Sequence, residues 1–185
     1  MSELDIFCDR INSLPLQGST IFATSKRENA FRNEVYNSVI TIIKNNINCS
    51  KTLRCIDFFC GHGIVLDQIK KTYDSELVGI DINNFYNDWN NFENIHFFQK
   101  DVFDVIKLKP TFKFDIILTL NTLRAESKMW GQERYDAFLS WCNQHSNYLI
   151  TNNCTNKKLD GFQLIDTVQT PGLYDTNLFK IIKNG

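Results

Sequence analysis

Apolar residues along the chain follow two different patterns, and the change between them predicts the order of the first elements. Between Lys26 and about Asn46 they recur at steps of three and four residues, the period of an amphipathic helix. From Leu53 to Phe59 they form a nearly continuous apolar and aromatic run, which is typical of a strand buried on both faces. The chain therefore passes from a long helix into a buried strand.

Strands and helices alternate through the rest of the chain. Helices are predicted from Ile64 to Lys71 and from roughly Met129 to Gln144. The later strands are predicted at Leu77 to Ile80, Ile95 to Gln99, Phe114 to Leu120, Tyr148 to Thr151, Phe162 to Val168 and Leu178 to Ile182. The fold class expected is α/β, a three-layer sandwich around a mostly parallel seven-stranded sheet. Pro171-Gly172 separates the last two strands, which predicts an antiparallel hairpin at its end.

One domain accounts for all 185 residues, because the chain has no internal repeat and no linker rich in proline, glycine or serine. Residues 1–50 form its N-terminal helical segment. The aromatic residues Phe22, Phe31 and Tyr36 of this segment would suit a lid over a site. Aromatic residues at helical spacing more often belong to a core, so core packing is the favoured interpretation.

The charge balance favours a small-molecule partner over a nucleic acid. The chain has 20 basic and 21 acidic residues and a net charge of -1, so no overall field attracts a polyanion. Nucleic-acid binding stays open as an alternative that charge does not support, and the sequence carries no signal for an oligomeric state. We expect three short basic runs to be solvated surface: Lys26-Arg27, Lys107 to Lys113 and Lys157-Lys158.

Cysteine usage and the opening residues predict a cytoplasmic protein without a metal site. The six cysteines show no CxxC pair and no Cys/His spacing of the kind that structural zinc needs, so we expect reduced thiols. The MSELDIFCDR opening lacks the basic and apolar regions of a signal peptide. No apolar run approaches the roughly 18 residues that a membrane span requires, so no membrane association is expected.

The candidate chemistry begins at Asp57-Phe58-Phe59-Cys60-Gly61-His62-Gly63, where a buried strand turns into a helix. Glycines there let a ligand approach the backbone, and the first turn of the helix offers free N–H groups. The nicotinamide fingerprint is incomplete, because Leu66 stands where its third glycine belongs. Asp57 would repel a pyrophosphate but attract an ammonium group, so an amino-acid-bearing cofactor is favoured.

Two further acids end the next two predicted strands. Asp81, which is followed by Ile82, lies 24 residues after Asp57, near the spacing of a ribose-binding carboxylate. Asp101 is placed to meet an adenine amino group while Val102 packs on the ring, although a helix cap would explain Asp101 equally well. We expect the three acids to line one crevice.

With these motifs the sequence resembles the class I S-adenosylmethionine-dependent methyltransferases, from about Leu53 to the final hairpin. The resemblance implies a Rossmann-like fold and S-adenosylmethionine (SAM) as cofactor. In that family the glycine loop binds the methionine part, the second-strand acid binds ribose and the third-strand acid contacts adenine. The implied cofactor-binding residues are Asp57, Phe58, Phe59, Cys60, Gly61, Gly63, Asp81, Ile82, Asp101, Val102 and Asn121.

The sequence departs from the family pattern at places that bear on the methyl acceptor. Phe59 replaces a glycine, a variant that nucleic-acid methyltransferases often carry. Against that, Asn121-Thr122-Leu123-Arg124 replaces the Asp/Asn-Pro-Pro-aromatic tetrapeptide of base-amine methyltransferases, and no Pro-Cys pair is present for attack on cytosine carbon. A small-molecule acceptor is the leading hypothesis. The alternatives are methylation of RNA, DNA or protein, and an inactive partner subunit that binds the cofactor.

Methyl transfer from a sulfonium depends chiefly on alignment and exclusion of water, so a general base is needed only for a hydroxyl or protonated amine acceptor. The candidate bases are His62, Glu126 and Tyr174, each of which a solvated loop or helix cap would also explain. Open α/β sheets bind ligands beyond the carboxyl ends of their strands. We therefore expect Asn121 over the methyl group, with substrate contacts from Arg124, Glu126 and Trp130.

Overall fold

The computed structural model describes residues 1–16, 26–120, 130–152, 159–170 and 175–182, with the side chains of 26–32 left aside. Its strands are β1 (Leu53–Phe58), β2 (Ser75–Asp81), β3 (His96–Gln99), β4 (Phe114–Thr119), β5 (Ser146–Asn152), β6 (Phe162–Val168) and β7 (Thr176–Ile181). They form one sheet in the order β3-β2-β1-β4-β5-β7-β6. The first five strands are parallel to one another, and β7 runs antiparallel to both β5 and β6. The predicted α/β fold with a terminal antiparallel pair is confirmed.

Six helices belong to the described part of the chain: α1 (Glu3–Asn12), α2 (Lys26–Asn46), α3 (Ile64–Thr72), α4 (Tyr86–Trp89), α5 (Val102–Val105) and α6 (Gln132–His145). The periodic pattern predicted α2, α3 and α6. It missed α1, although a capping box begins that helix: the Asp5 N–H donates to Ser2 Oγ, and the Ser2 N–H donates to the Asp5 carboxylate. The other two are single turns, too short to show a helical period.

The helices cover both faces of the sheet, which makes three layers. Buried side chains of α1, α5 and α6 pack with Ile56 and Phe58 on one face. Buried side chains of α2, α3 and α4 pack with Leu53 and Cys55 on the other. Side chains of a strand alternate between faces, so β1 contributes to both cores, as its apolar run predicts. Tyr36 packs against the second core, which confirms the core interpretation for this residue; Phe22 and the Phe31 side chain lie outside the described part.

A buried lysine fastens α1 to the end of β3. The Lys100 side chain is 5% exposed, and its ammonium group donates to the carbonyl oxygens of Asn12, at 3.2 Å, and Leu14. These carbonyls belong to the C-terminal end of the helix, where unpaired acceptors and the helix dipole both favour a cation. The N-terminal segment is thereby held beside the strand ends that carry the candidate acids.

The switch point of the sheet lies between the neighbouring strands β1 and β4, because the chain returns after β3 to form β4 on the other side of β1. The strands β2 and β3 extend the sheet on one side of β1, and β4 and β5 extend it on the other. In open α/β sheets such a switch point leaves a crevice outside the carboxyl ends of the strands. The crevice here lies beyond Phe58, Asp81 and Thr119.

The described residues bear on membrane association through their helices and on disulfide bonding through their cysteines. None of their helices combines the length and the apolar character that crossing a membrane requires. Their cysteines are free thiols: Cys8, Cys49, Cys55, Cys60 and Cys142.

Candidate cofactor-binding site

The loop after β1 turns through three residues in the left-handed region. Phe59, Gly61 and Gly63 have φ angles of 66°, 53° and 79°. The N–H groups of Phe59 and Cys60 both donate to the carbonyl oxygen of Ile80, at 2.8 and 3.1 Å, which fixes the loop to the end of β2. The glycine loop is therefore a turn that two hydrogen bonds attach to β2 at the mouth of the crevice.

The two glycines of this loop serve different purposes. A Cβ added at Gly61 would meet no atom within 4 Å, so this position borders open space where a ligand can approach the backbone. A Cβ at Gly63 would lie 2.5 Å from Cζ of Phe97, and one at Gly79 would lie 2.5 Å from Cδ1 of the same ring. Gly63 thus admits the Phe97 ring and begins α3, while Gly61 leaves room for a ligand.

Asp81 connects the glycine loop to the end of β2. Its Oδ2 accepts the Gly61 N–H at 2.9 Å and its Oδ1 accepts the Asn83 N–H at 2.8 Å. Burial raises the pKa of this carboxyl, and the two N–H donors act in the opposite direction. Sequence reasoning expected a ribose contact from Asp81 and missed this structural connection. A carboxylate has about four acceptor positions, so the loop contacts of Asp81 and a ribose contact are compatible.

Asp57 is a buried carboxylate that receives no hydrogen bond from the residues the structure describes. It is 3% exposed and lies on the same face of the sheet as Asp81, since Asp57 pairs with Gly79 and side chains two apart share a face. Among the described residues none donates a hydrogen bond to it. Burial, followed by repulsion from Asp81, raises its pKa well above the ordinary value. A buried carboxylate is normally paired, so this arrangement calls for a cation at the crevice.

The third acid is a helix cap. The Asp101 carboxylate accepts the Phe103 N–H at 2.8 Å and thereby begins α5. Val102 is 2% exposed in the core under α1 and α6, and Ile82, beside Asp81, is 37% exposed. The helix cap, left open beside the adenine contact in the sequence analysis, is therefore realised; the adenine contact stays a prediction.

Two residues of the motif contribute packing. Phe58 is fully buried against Phe138 and Trp141, at 5.4 Å between ring centroids in each case, so only its backbone borders the crevice. Cys60 is buried in the opposite core, and burial raises the pKa of its thiol well above the ordinary value. A thiol that holds its proton so firmly is a poor nucleophile.

His62 is the one predicted general base that the described residues include. Its Nδ1 lies 2.7 Å from Oδ2 of Asp88, and its ring contacts Phe85 at 4.7 Å between centroids. The carboxylate orients the imidazole, as a partner of a proton-transfer group would. The remaining predicted residues lie outside the described part: Asn121, Arg124, Glu126 and Tyr174.

Sequence reasoning missed two residues that shape the crevice. The Trp89 indole N–H donates to the Gly61 carbonyl oxygen at 2.8 Å, and its ring stacks on Phe97 at 5.1 Å, so α4 supports the glycine loop from below. Asn83 has a buried Oδ1 with no donor in the described part of the chain. The signal for Asn83 was its place two residues after a strand-end acid, where an Asx turn is common.

Phe59 has an unfavourable left-handed backbone conformation, and the packing of its ring offsets the cost. A left-handed φ costs a residue with a side chain roughly 1–2 kcal/mol relative to the right-handed region. Its ring stacks on Trp130 at 5.2 Å between centroids with the planes 24° apart, and Trp130 in turn meets Phe103 edge-on at 5.0 Å. Trp130, predicted to contact substrate, therefore stands beside the glycine loop.

Comparisons with known proteins find matches at the level of structure only. No family model and no curated protein sequence matches the chain. The magnesium protoporphyrin IX methyltransferase of Synechocystis PCC 6803, solved with bound SAM, has a TM-score of 0.62 and 16% identity over 98% of both chains. The N-methyltransferase NodS of Bradyrhizobium japonicum WM9, in complex with S-adenosylhomocysteine (SAH), has a TM-score of 0.63 and 9% identity over 83% of this chain and 88% of that one.

An rRNA methylase of Escherichia coli is also similar, with a TM-score of 0.59 and 16% identity over 83% of this chain and 67% of that one. The chain has the class I methyltransferase fold. The Rossmann-like fold expected from the glycine loop and the strand-end acids is thus confirmed. On this methyltransferase fold, the crevice lies where the parallel strands end. Among the described residues no cluster of three or more side chains is suited to hold a metal ion.

Proposed function

We propose that the chain is a SAM-dependent methyltransferase that transfers a methyl group to a small-molecule acceptor. The observation that carries the proposal is Asp57, a buried carboxylate with no donor among the described residues, beside an open glycine position at the switch point of the sheet. An α-ammonium group meets the need of that carboxylate for a cation, and a pyrophosphate would increase the repulsion.

Three residues would hold the parts of the cofactor. Asp57 would bind the ammonium group of the methionine part, and the open space at Gly61 would admit the rest of that part. Asp81 would accept hydrogen bonds from the ribose hydroxyls at the acceptor positions that its donors in the loop leave open. When bound, SAM supplies a methyl group activated by its sulfonium.

The aromatic pair Phe59 and Trp130 would form a wall of the acceptor pocket. Both rings are half-buried and stacked on each other beside the glycine loop. Such a wall excludes water and orients an acceptor, and these two effects can supply most of the rate enhancement of a methyl transfer. A small acceptor is further supported by the net charge of -1 and by the similarity to the magnesium protoporphyrin IX methyltransferase over nearly the whole chain.

The first test is calorimetric titration of the chain with SAH, with NAD as a control ligand. Asp81→Asn keeps the shape of the side chain but removes its charge and one acceptor, so we expect SAH to bind about tenfold to a hundredfold more weakly. Asp9→Asn, an exposed acid on α1, is the matched control and should leave the affinity unchanged. Wild-type affinity in Asp81→Asn, or binding of NAD in place of SAH, would contradict the cofactor assignment.

Turnover separates the enzyme from an inactive partner subunit. Transfer of a labelled methyl group from SAM to members of a small-molecule panel is the expected result. Transfer to RNA, DNA or protein instead would move the acceptor to the alternative class. Tight SAH binding with no transfer to any of these acceptors would favour a partner subunit.

A further inference from the structure

A groove runs along the face of the sheet that carries α5 and α6. It has a volume of about 570 Å³ and is lined chiefly by Phe103, Lys107, Lys109, Arg134, Trp141 and His145. This volume is within the range of small-ligand sites, roughly 300–1,000 Å³. Because α6 rises about 1.5 Å per residue, the groove extends about 18 Å, from the carboxyl edge of the sheet near Glu133 to the amino edge at His145.

Two cations of this groove have no acid to neutralise them in the described part of the chain. The Arg134 guanidinium lies over the Phe103 ring, 5.1 Å from its centroid, and forms no ion pair there. The Lys109 ammonium likewise has no carboxylate partner among these residues. Lys107 differs, because its Nζ is paired with Asp104 Oδ1 at 2.7 Å. Arg134 and Lys109 are therefore cations without an ion partner in the described part of the chain.

His145 lies at the amino edge of the same groove. Its Nε2 is buried and has no partner among the described residues, and its ring packs on Trp141 at 4.9 Å between centroids. Burial, and then the charges of Lys113 and Lys109, lower its pKa. Both lysine ammonium groups therefore lie close enough to the imidazole to act on its charged form.

From this arrangement we infer that the groove between α5 and α6 binds the phosphate groups of a ligand. Arginine and lysine supply the fork and point charge that phosphate oxygens accept, and a length of about 18 Å exceeds one phosphate group. Among the described lining residues Glu133 is the one acid, and it lies at the end of α6 opposite to His145. Two sources share this chemistry: the backbone of a single-stranded nucleic acid and a free nucleotide.

The groove is continuous with the candidate active site. Phe103 lines its upper end and meets Trp130 at 5.0 Å, and Trp130 stacks on Phe59 of the glycine loop. A ligand held by its phosphates in the groove can therefore extend towards the crevice. The inference itself does not depend on methyl transfer, because phosphate binding is measured without the cofactor.

The test is fluorescence anisotropy of a labelled oligouridylate with the full chain, over a range of salt concentrations, with UMP and inorganic pyrophosphate as competitors. We expect Arg134→Gln and Lys109→Gln each to weaken binding about fivefold and to lower the slope of log affinity against log salt by about one. Glu133→Gln should strengthen binding. Lys180→Gln is the matched control. This exposed lysine lies on β7 between Phe179 and Ile181, whose side chains face the α6 side of the sheet, so Lys180 is on the opposite face from the groove.

The outcomes distinguish the two sources. If the oligouridylate binds much more tightly than UMP, the groove binds a nucleic-acid backbone. If the oligouridylate and UMP have equal affinity per phosphate group, the groove is a nucleotide site. Both results support the inference. Absence of binding by all three probes overturns it, as does binding that Arg134→Gln and Lys109→Gln leave unchanged. Thermal melting and SAH titration of the same variants show whether they are folded. Loss of phosphate binding with SAH binding retained therefore does not bear on the proposed function.

Discussion

The contacting rings of Phe59, Trp130 and Phe103 connect the crevice at the glycine loop with the groove between α5 and α6. Among the described residues of the two sites, the groups without an ion partner are an acid in the crevice and cations in the groove. In the crevice the unpaired group is the Asp57 carboxylate, which is 3% exposed. In the groove the groups without an ion partner in the described part of the chain are the cations Arg134 and Lys109, which lie on an open surface. One region is buried and rigid, and the other is accessible to solvent.

This difference shows that net charge describes the long-range field of the chain and not the local charge at a site. A net charge of -1 removes any long-range field, yet the chain keeps its charges apart at two sites. Burial raises the pKa of Asp57 and lowers the pKa of His145, so each group is disfavoured in its charged form. A bound ligand of the opposite charge would reverse that effect at Asp57.

The largest expected effect tests the rigidity of the crevice. Gly63→Val places a side chain at a φ of 79° and against the Phe97 ring, so we expect a loss of about 3 kcal/mol in the free energy of unfolding. The matched change in the groove is Ala137→Val on the exposed side of α6, which should cost less than about 1 kcal/mol. Urea unfolding measures both, and equal losses would show that the two regions do not differ in rigidity.

A smaller effect of opposite sign is expected at Asp57. Its pKa is raised in the folded state, so the folded state holds the proton more tightly than the unfolded chain does. Stability is therefore lost as pH rises from the ordinary value of 3.8 towards the folded pKa. Asp57→Asn removes this loss and should stabilise the ligand-free protein at neutral pH by about 1–2 kcal/mol.

The same substitution should weaken SAH binding by about tenfold or more, because the cation of the ligand loses its partner. Unfolding curves at several pH values and calorimetric titration measure the two effects, with Asp9→Asn as the control that changes neither. A variant that is less stable than the wild type at neutral pH would refute the account of Asp57 as an unpaired buried charge.

The smallest effect is expected at His145, with the opposite dependence on pH. Its pKa is lowered in the folded state, so the unfolded chain binds the proton more tightly and stability is lost as pH falls below the ordinary value of 6.5. The side chain is partly exposed, so the contribution is only a few tenths of a kcal/mol. His145→Gln should flatten the stability profile between neutral and mildly acidic pH, as measured by thermal melting. An unchanged profile would show that His145 is fully hydrated.

The sequence predicted the strands well because both cores demand long apolar runs. The run that forms β1 is buried on both faces, and the predicted strand from Leu53 to Phe59 differs from it by one residue. The last residue, Phe59, leaves the strand because its φ of 66° begins the turn. Turn chemistry at a strand end depends on contacts with other elements, here the carbonyl of Ile80, which no local pattern reveals.

The short helices and the contacts between elements escaped prediction. The four residues of α4 show no period, yet Trp89 within it holds the Gly61 carbonyl. The basic run from Lys107 to Lys113 was expected to be solvated surface. The structure places Lys107 and Lys109 in one groove with Arg134 and His145 of α6, which are distant in the sequence.

The sequence by itself determined the α/β order, the glycine loop and the acids at the strand ends, because apolar period, glycine and charge are local properties of the chain. Only the tertiary structure decided which of those acids are paired. Asp81 receives two N–H donors, Asp101 caps a helix, and Asp57 receives none among the described residues. The bonds from Asn83 and Phe103 are local, whereas the bond from Gly61 and the burial of Asp57 follow from packing between distant segments. Burial is what turns a strand-end carboxylate into a group that needs a cation.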